Sequence, residues 1–560
     1  MSLLAGCGGG GTGSSTSPSR SATTVANVPP IAQAGQNQQV FENVTVTLAG
    51  SGTDADGSVV GFEWSQTSGE IVTLSDSNQA IATFQAPATT ESEVLEFTLR
   101  VTDNSGATST DSMTVTVEQN RPVVFSSQPD AITKNAFAVV DFTAQGSDAF
   151  ECNLNGGDYA PCVSPHSVFP LAPGSYDLSV RSLTADGTPS GESVVSWTVS
   201  SIFGDEADAG IHPDVIRGDM QPDPVAPNSW RGILRINCDF AHSSYDDPVV
   251  FPGQDEAAHL HRFYGNTLLD ETSDVTSLFT SGESSCQGNE LNRSAYWYPA
   301  LIAPDYDPAT GDRLTDANGE PAWKAVSAVV GDNDVAHEIF YYSAGVDDLD
   351  SIQTIPLGLK MIAGSHMGQP GMEQDSSIVR WHCQAWESSD ATNPRWSAGI
   401  PECLAPDRLR MDIFFPSCWN GTDLDSDDHK SHLAYPVTTD GNTECPAAHP
   451  VPIIRVSFHY AFGVKPDVYD PATLSSRGWR LASDMYDETI AEPGGMSLHA
   501  DWFNAWHPEA LQAVLDTCIK QELDCHDGNL ANGFRLSGTR PGTQFEPMVM
   551  NKGLGAAAHP

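Results

Sequence analysis

Three short stretches in the C-terminal half of the chain place imidazoles next to carboxylates. In His259-Leu260-His261 the i, i+2 spacing sets both rings on one face of a strand, which suits a shared metal, an anionic substrate or an acid–base pair. Asp427-Asp428-His429-Lys430-Ser431-His432 offers carboxylates, an ammonium and two imidazoles within six residues, and His499-Ala500-Asp501-Trp502 repeats the His/Asp pairing beside Trp506 and His507. These groups predict a catalytic set of His259, His261, Asp428, His429, Lys430, His432, His499 and Asp501, brought together in one cleft. For elimination, an imidazole or Lys430 would take a proton beside a uronate carboxylate; for hydrolysis, Asp428 and Asp501 would form the carboxyl pair. Arg262, Trp297, Trp381, Trp419 and Trp502 are the expected substrate contacts, because pyranose faces stack on aromatic rings. Two alternatives stay open. One is a metal-dependent enzyme in which His259 and His261, with His429 or His432, bind zinc or copper; the other is a non-catalytic glycan-binding or adhesion protein. No G-x-S-x-G elbow occurs, which disfavours a serine nucleophile.

Such residues need a scaffold, and the periodicity of the chain points to strands. Residues 27–119 carry alternating apolar runs such as Leu95-Glu96-Phe97-Thr98-Leu99-Arg100-Val101, separated by Gly, Asp and Asn turns, and read as a β-sandwich. Residues 120–201 read as a second one, with Cys152 and Cys162 clipping a hairpin. From residue 202 to 535 Trp, His, Pro and Asp become dense, strands dominate, and the clearest helix is Pro508 to Ile519. Residues 1–26 read as a linker and 536–560 as a tail. The fold class is therefore mainly β: two small sandwiches ahead of a large, disulfide-braced domain with few helices.

Charge narrows the partners. With 73 acidic against 26 basic side chains the formal charge is −47, so nucleic acid and anionic membrane surfaces, both held by Lys/Arg clusters, are poor partners. An extracellular polysaccharide is the expected partner, with an acidic one requiring a local cationic patch from His429, Lys430 and Arg262. No apolar run is long enough for a transmembrane helix.

Resemblances sharpen this reading. Leu3-Leu4-Ala5-Gly6-Cys7 resembles a bacterial lipobox with Cys7 as the lipidated residue, followed by a Gly/Ser/Thr tether, although few residues precede it. That implies a secreted, surface or outer-membrane lipoprotein. Pro30-Ile31-Ala32-Gln33-Ala34-Gly35, the Gly50-to-Gly57 turn, Trp64 and Val101-Thr102-Asp103-Asn104-Ser105-Gly106 closely resemble the polycystic-kidney-disease-type (PKD) module, in which Asp54 and Asp56 either bind calcium or initiate a turn. Residues 120–201 resemble bacterial immunoglobulin-like repeats. Phe415-Pro416-Ser417-Cys418-Trp419-Asn420-Gly421, continuing to His432-Leu433-Ala434-Tyr435-Pro436, resembles the signature of the domain of unknown function 1996 family. Tyr296-Trp297-Tyr298-Pro299, Trp381-His382-Cys383 and Cys445-Pro446-Ala447-Ala448-His449-Pro450 extend that likeness over about residues 208–528. The family's His-Gly-Asp-Phe pattern is matched by His499-Ala500-Asp501-Trp502, with Ala500 and Trp502 as departures. The resemblance implies a secreted protein often joined to carbohydrate-binding or adhesive modules, and supplies no activity.

Setting Cys7 aside leaves ten cysteines, and short loops close most readily, so sequential neighbours are expected to pair: Cys152/Cys162, Cys238/Cys286, Cys383/Cys403, Cys418/Cys445 and Cys518/Cys525. Non-reducing peptide mapping should recover Cys418 linked to Cys445; any other partner would refute the neighbour rule.

Overall fold

The computed structural model describes residues 26–538, apart from 90–91, 148, 184–186, 188, 205–209, 219–222, 225–231, 328–336, 385–395, 485–492 and 527. Cys7 and most of the terminal linker and tail lie outside the described residues. The chain is mainly β. In the first module the alternation of Glu93–Asp103 puts Leu95, Phe97, Leu99 and Val101 fully inside, against Trp64 and Val115. Asp54 accepts from the Asp56 backbone N–H and the Asp56 carboxylate accepts from the Val28 N–H at 3.2 Å, so both side chains order the turn.

In the second module, five- and three-stranded sheets enclose Val140, Phe142, Val180 and Trp197. Cys152–Cys162 ties the antiparallel pair Phe150–Leu154 and Ala160–Cys162. The other four disulfides, Cys238–Cys286, Cys383–Cys403, Cys418–Cys445 and Cys518–Cys525, lie in the C-terminal domain, and each joins sequence neighbours.

The C-terminal domain is organised by an antiparallel path of nine strands within an eleven-stranded sheet. Its strands are β1 (Ile233–Ser244), β2 (His261–Gly265), β3 (Ala295–Pro299), β4 (His337–Ser343), β5 (Lys360–Gly364), β6 (Val379–Gln384), β7 (Arg408–Phe414), β8 (Arg455–Gly463) and β9 (His499–Phe503). The spatial order is β5-β9-β3-β2-β1-β4-β8-β7-β6. The sheet curls until its two ends meet: a Cβ added to Gly364 at the end of β5 would lie 2.9 Å from Val379 Cγ1 on β6 and 2.3 Å from the Leu498 carbonyl. Gly364 also has φ +77°, so this position excludes any side chain twice over.

Because strand side chains alternate, the curl gives every strand an inner and an outer row. The inner row is one aromatic core that includes Tyr264, Tyr296, Tyr298, Phe340, Trp381, Phe458, Tyr460 and Trp502. Tyr296 and Tyr342 hydroxyls bond at 2.6 Å, and Trp506 Nε1 donates to Tyr342 at 2.8 Å, so the buried polar tips satisfy one another. The outer row of β2, β3, β9 and β5 is covered by the segment that holds α1 (Val275–Thr280), with Phe263, Trp297, Leu278, Phe279 and Phe503 in a second cluster. The expected helix from Pro508 divides into α2 (Pro508–Ala513) and a wider π turn, Val514–Ile519, in which Lys520 N–H reaches back to the Leu515 carbonyl.

The second module does more than space the first from the third. Phe137 stacks on Phe279 with ring centres 4.4 Å apart, Ser167 bonds Thr276 at 3.0 Å, and Glu509 on α2 accepts from Ser201 Oγ and the Ile202 N–H. His507 Nε2 bonds the Lys134 carbonyl at 2.9 Å. Burial, with some help from nearby His212, holds the His507 imidazole down to about 4. The unfolded chain takes up that proton near pH 6.5, so stability is intact above about pH 6.5 and falls as pH drops toward about 4, by up to roughly 3 kcal/mol from this group. His507→Gln should reduce the loss of stability between about pH 7 and about pH 4.5, measured by urea unfolding. An unchanged acid profile would show that this imidazole does not sense the interface.

Candidate functional site

Strand pairing gathers the chemistry onto the outer face of one half of the sheet. His499 and Asp501 alternate with Ala500 on β9, facing Gly364 and Ile362 of β5 on one side; on the other, Asp501 pairs with Trp297 of β3. His261 opens β2, paired with Pro299, and His259 lies two residues before it. Asp247 comes from the loop after β1, where its Oδ1 accepts from the N–H groups of Val249 and Val250 at 2.9 Å.

The result is a buried cluster. One ligand atom from each of His259, His261 and His499 lies within 4.8 Å of the others, and the same holds for Asp247, His261 and Asp501. The His259 ring centre is 4.2 Å from that of His261 and 4.9 Å from that of His499. Two of the imidazoles are fixed through their far nitrogens: His261 Nδ1 bonds the Asp246 carbonyl at 3.1 Å and His499 Nδ1 bonds the Ser497 carbonyl at 2.8 Å. A carbonyl accepts only, so each Nδ1 carries the hydrogen and each neutral ring turns its Nε2 lone pair into the cluster. Burial holds both imidazoles below their ordinary value, His499 far below it, with the neighbouring His261 adding to the effect.

Asp501 completes the case that these residues fit a cation. Both its oxygens and His261 Nε2 are buried without a hydrogen-bond partner among the described residues. Burial, then the charge of Asp247, push the Asp501 carboxyl well above the carboxylate range, while Lys430 pulls it back. Three imidazoles and two carboxylates are a borderline-to-hard donor set for a divalent ion of the zinc, manganese or iron type. No thiolate takes part.

The cluster floors a cavity of about 680 Å³ whose lining includes Asp247, Phe251, His259, Ile362, His366, Asp428, His429, Lys430, His499 and Asp501. Its far wall is the loop around residue 428. Asp428 accepts from Ser426 Oγ and from the N–H groups of Lys430 and Ser431, and those bonds, led by Ser431, hold its carboxyl well below the usual range. His429, in a left-handed conformation at φ +56°, bonds Asp425 at 2.9 Å, and Lys430 Nζ donates to the Gly364 carbonyl at 2.8 Å. Burial lowers the Lys430 ammonium.

Several expected site residues do other work. His432 spends both nitrogens, on Ser426 Oγ and the Lys360 carbonyl at 2.8 Å each, so it pins the loop to β5 and is no ligand. The third imidazole of the cluster is His499. Arg262 points into the core, over the Phe240 ring at 4.4 Å, because it alternates with His261 and Phe263. Trp381 and Trp502 sit on the inner row, Trp297 is buried beneath α1, and Trp419 donates to the Asp423 carbonyl beside the loop. None of the four tryptophans lines the cavity. Asp247 and His366 were not anticipated; Asp246-Asp247 and Gly364-Ser365-His366 are visible in the sequence, but only the sheet order joins them to the site. A second chain, Ser457 Oγ to His459 Nε2 at 3.0 Å and His459 Nδ1 to Asp412 at 2.8 Å, has the bond order of a nucleophilic triad. Ser457 is fully buried, so this chain orients the imidazole.

Residues 247–506 match the family Domain of unknown function (DUF1996), and residues 34–117 match a family of PKD domains. The solution structure of the PKD domain from the KIAA 1837 protein is similar at 30% identity over 16% of this chain and 85% of that one, with a TM-score of 0.14. The fibronectin(III)-like modules of Clostridium thermocellum CbhA share 11% identity over 32% of this chain and 97% of theirs, at 0.20. A nucleoside hydrolase-related hypothetical protein from Saccharophagus degradans shares 22% over 17% of this chain and 26% of that one, at 0.15. No curated protein matches the chain.

A buried carboxylate with no partner opposes folding when no cation is bound. Asp501→Asn should therefore raise the melting temperature of chelator-treated protein at neutral pH by about a few degrees and remove the further rise that Zn²⁺ gives the wild type. A variant that melts lower in chelator and still responds to Zn²⁺ would show that Asp501 is a structural residue.

Proposed function

We propose that the C-terminal domain is a metal-dependent enzyme that cleaves an extracellular polysaccharide, with His259, His261 and His499 as the imidazole ligands and Asp501, with Asp247, as the carboxylate side of the centre. The observation that carries this reading is the pair of imidazoles locked through Nδ1 by backbone carbonyls, both grouped with His259, with His261 also within 4.8 Å of the partnerless buried carboxylate of Asp501. Backbone bonds of this kind set the tautomer that a metal needs. A divalent ion there would polarise a substrate oxygen and lower the pKa of water.

The residues of the far wall supply the rest. Lys430 faces Asp501 across the cavity; its ammonium, lowered by burial, is placed to give a proton to a leaving oxygen, and its deprotonated amine to take one from a sugar carbon. Asp428 shapes the turn that presents it. Hydrolysis is favoured over elimination because the floor of the cavity concentrates ligands able to hold water, while Lys430 is its one described ammonium. The two β-sandwiches ahead of the domain suit export and surface display, and the expected lipid at Cys7 belongs to the same reading.

Untagged protein dialysed against Zn²⁺ or Mn²⁺ should retain about one equivalent of metal, and His261→Ala and His499→Ala less than about a tenth. The loaded wild type should release new reducing ends from one member of a polysaccharide panel, and the two variants should not. Metal below about a tenth of an equivalent in the wild type would sink the proposal; metal retained without any cleavage would reduce the site to a structural one.

A further inference from the structure

The other half of the curled sheet has an outer face of unusual charge. On β6, β7 and β8 stand Arg380, His382, Arg408, Arg410, Arg455 and His459, against Asp412 alone. Register puts them on one side: Arg380 pairs with Asp412, His382 with Arg410, and Asp412 with His459, while the alternating Trp381, Met411 and Tyr460 go to the core. In a chain with 26 basic and 73 acidic side chains, this is a local reversal of sign. Asp412 is shared: it meets Arg380 Nε at 3.2 Å, Arg410 Nε at 3.3 Å and His459 Nδ1 at 2.8 Å, so one carboxylate stands between two guanidiniums and an imidazole.

A second feature adjoins the cations. Trp396 is 41% exposed, and its backbone sits at φ +71°, a conformation that a bulky residue rarely adopts. Arg380 lies flat on it, 3.5 Å from the ring centre, and is 4.8 Å from that of Phe414. The Arg380 and Arg410 side chains keep 19% and 26% of their surface. Solvent therefore reaches Arg380 and Arg410 beside an exposed indole.

We infer that this face binds an anionic polysaccharide, a chain bearing carboxylate or sulfate groups. Guanidinium forks match such groups two bonds at a time, and the indole face offers a stacking surface for a sugar ring. The overall charge of −47 does not prevent this, since charges beyond a Debye length of about 8 Å are screened at physiological salt and the groups at contact decide. These residues are distinct from those of the proposed metal centre, which come from β2, β9, the residues just before β2 and the loop after β1.

The test is affinity electrophoresis of the full chain through gels containing polygalacturonate, dextran sulfate or neutral dextran. The wild type should be retarded by at least one of the anionic polymers, less so as salt rises, and pass neutral dextran freely. Arg408→Gln/Arg410→Gln should weaken that retardation about tenfold, as expected for two lost charge-assisted contacts, and so should Trp396→Ala, each with unchanged metal content and melting temperature. Retardation by polygalacturonate alone identifies a carboxylated partner, and by dextran sulfate alone a sulfated one. Equal mobility in all three gels, equal retardation by neutral dextran, or folded variants retarded like the wild type would overturn the inference. Should the double variant not fold, Trp396→Ala decides.

Discussion

Everything in the C-terminal domain depends on a sheet that closes on its own inner face. The contact between Gly364 and Val379 marks the closure, and it leaves no room for a Cβ. Once the ends meet, the inner row of each strand must be apolar or mutually bonded, because no water reaches it. That demand consumes the bulky aromatics: Trp381, Trp502, Tyr296, Tyr298 and Tyr342 all serve the core. The outer row is then free for groups that a core would reject.

Those groups divide by location. Where the segment around α1 covers the outer face, histidines and carboxylates are buried, and burial itself disfavours every charged form: the His261 and His499 imidazoles stay neutral and the Asp501 carboxyl is driven up. A neutral imidazole with a free lone pair and a carboxylate that resists ionising alone would both be relieved by one added cation. Where the outer face is half open, on β6 to β8, two guanidiniums share Asp412. One sheet thus presents two chemistries, set apart by what lies on top of it.

The mainly β class, the PKD-like and DUF1996 segments and the groups able to do chemistry were legible from local pattern. His259, His261, His499 and Asp501 stood out because alternation predicts which side chains share a face. Alternation does not say which face is outside. Arg262, Trp297 and Trp502 looked equally suited to a substrate, and the strand order β9-β3-β2 buried all three. His432 failed for a different reason: its loop folds back on β5, and the bond to the Lys360 carbonyl is invisible without that fold. The arginines of β6 to β8 were likewise scattered in sequence, and became a row only through the pairing of Arg380 with Asp412 and of Asp412 with His459.

The far wall of the cavity rests on two anchors to one strand, His432 on the Lys360 carbonyl and Lys430 on the Gly364 carbonyl, and the stretch that carries them is bracketed by Cys418–Cys445. Neither anchor alone immobilises a loop of this length; the covalent bracket shortens the chain that must be ordered. Without the bracket, more chain would have to be ordered to hold the Lys430 ammonium against the Gly364 carbonyl. The placement of Lys430 opposite the imidazoles therefore depends on a bond between two cysteines that touch neither of them.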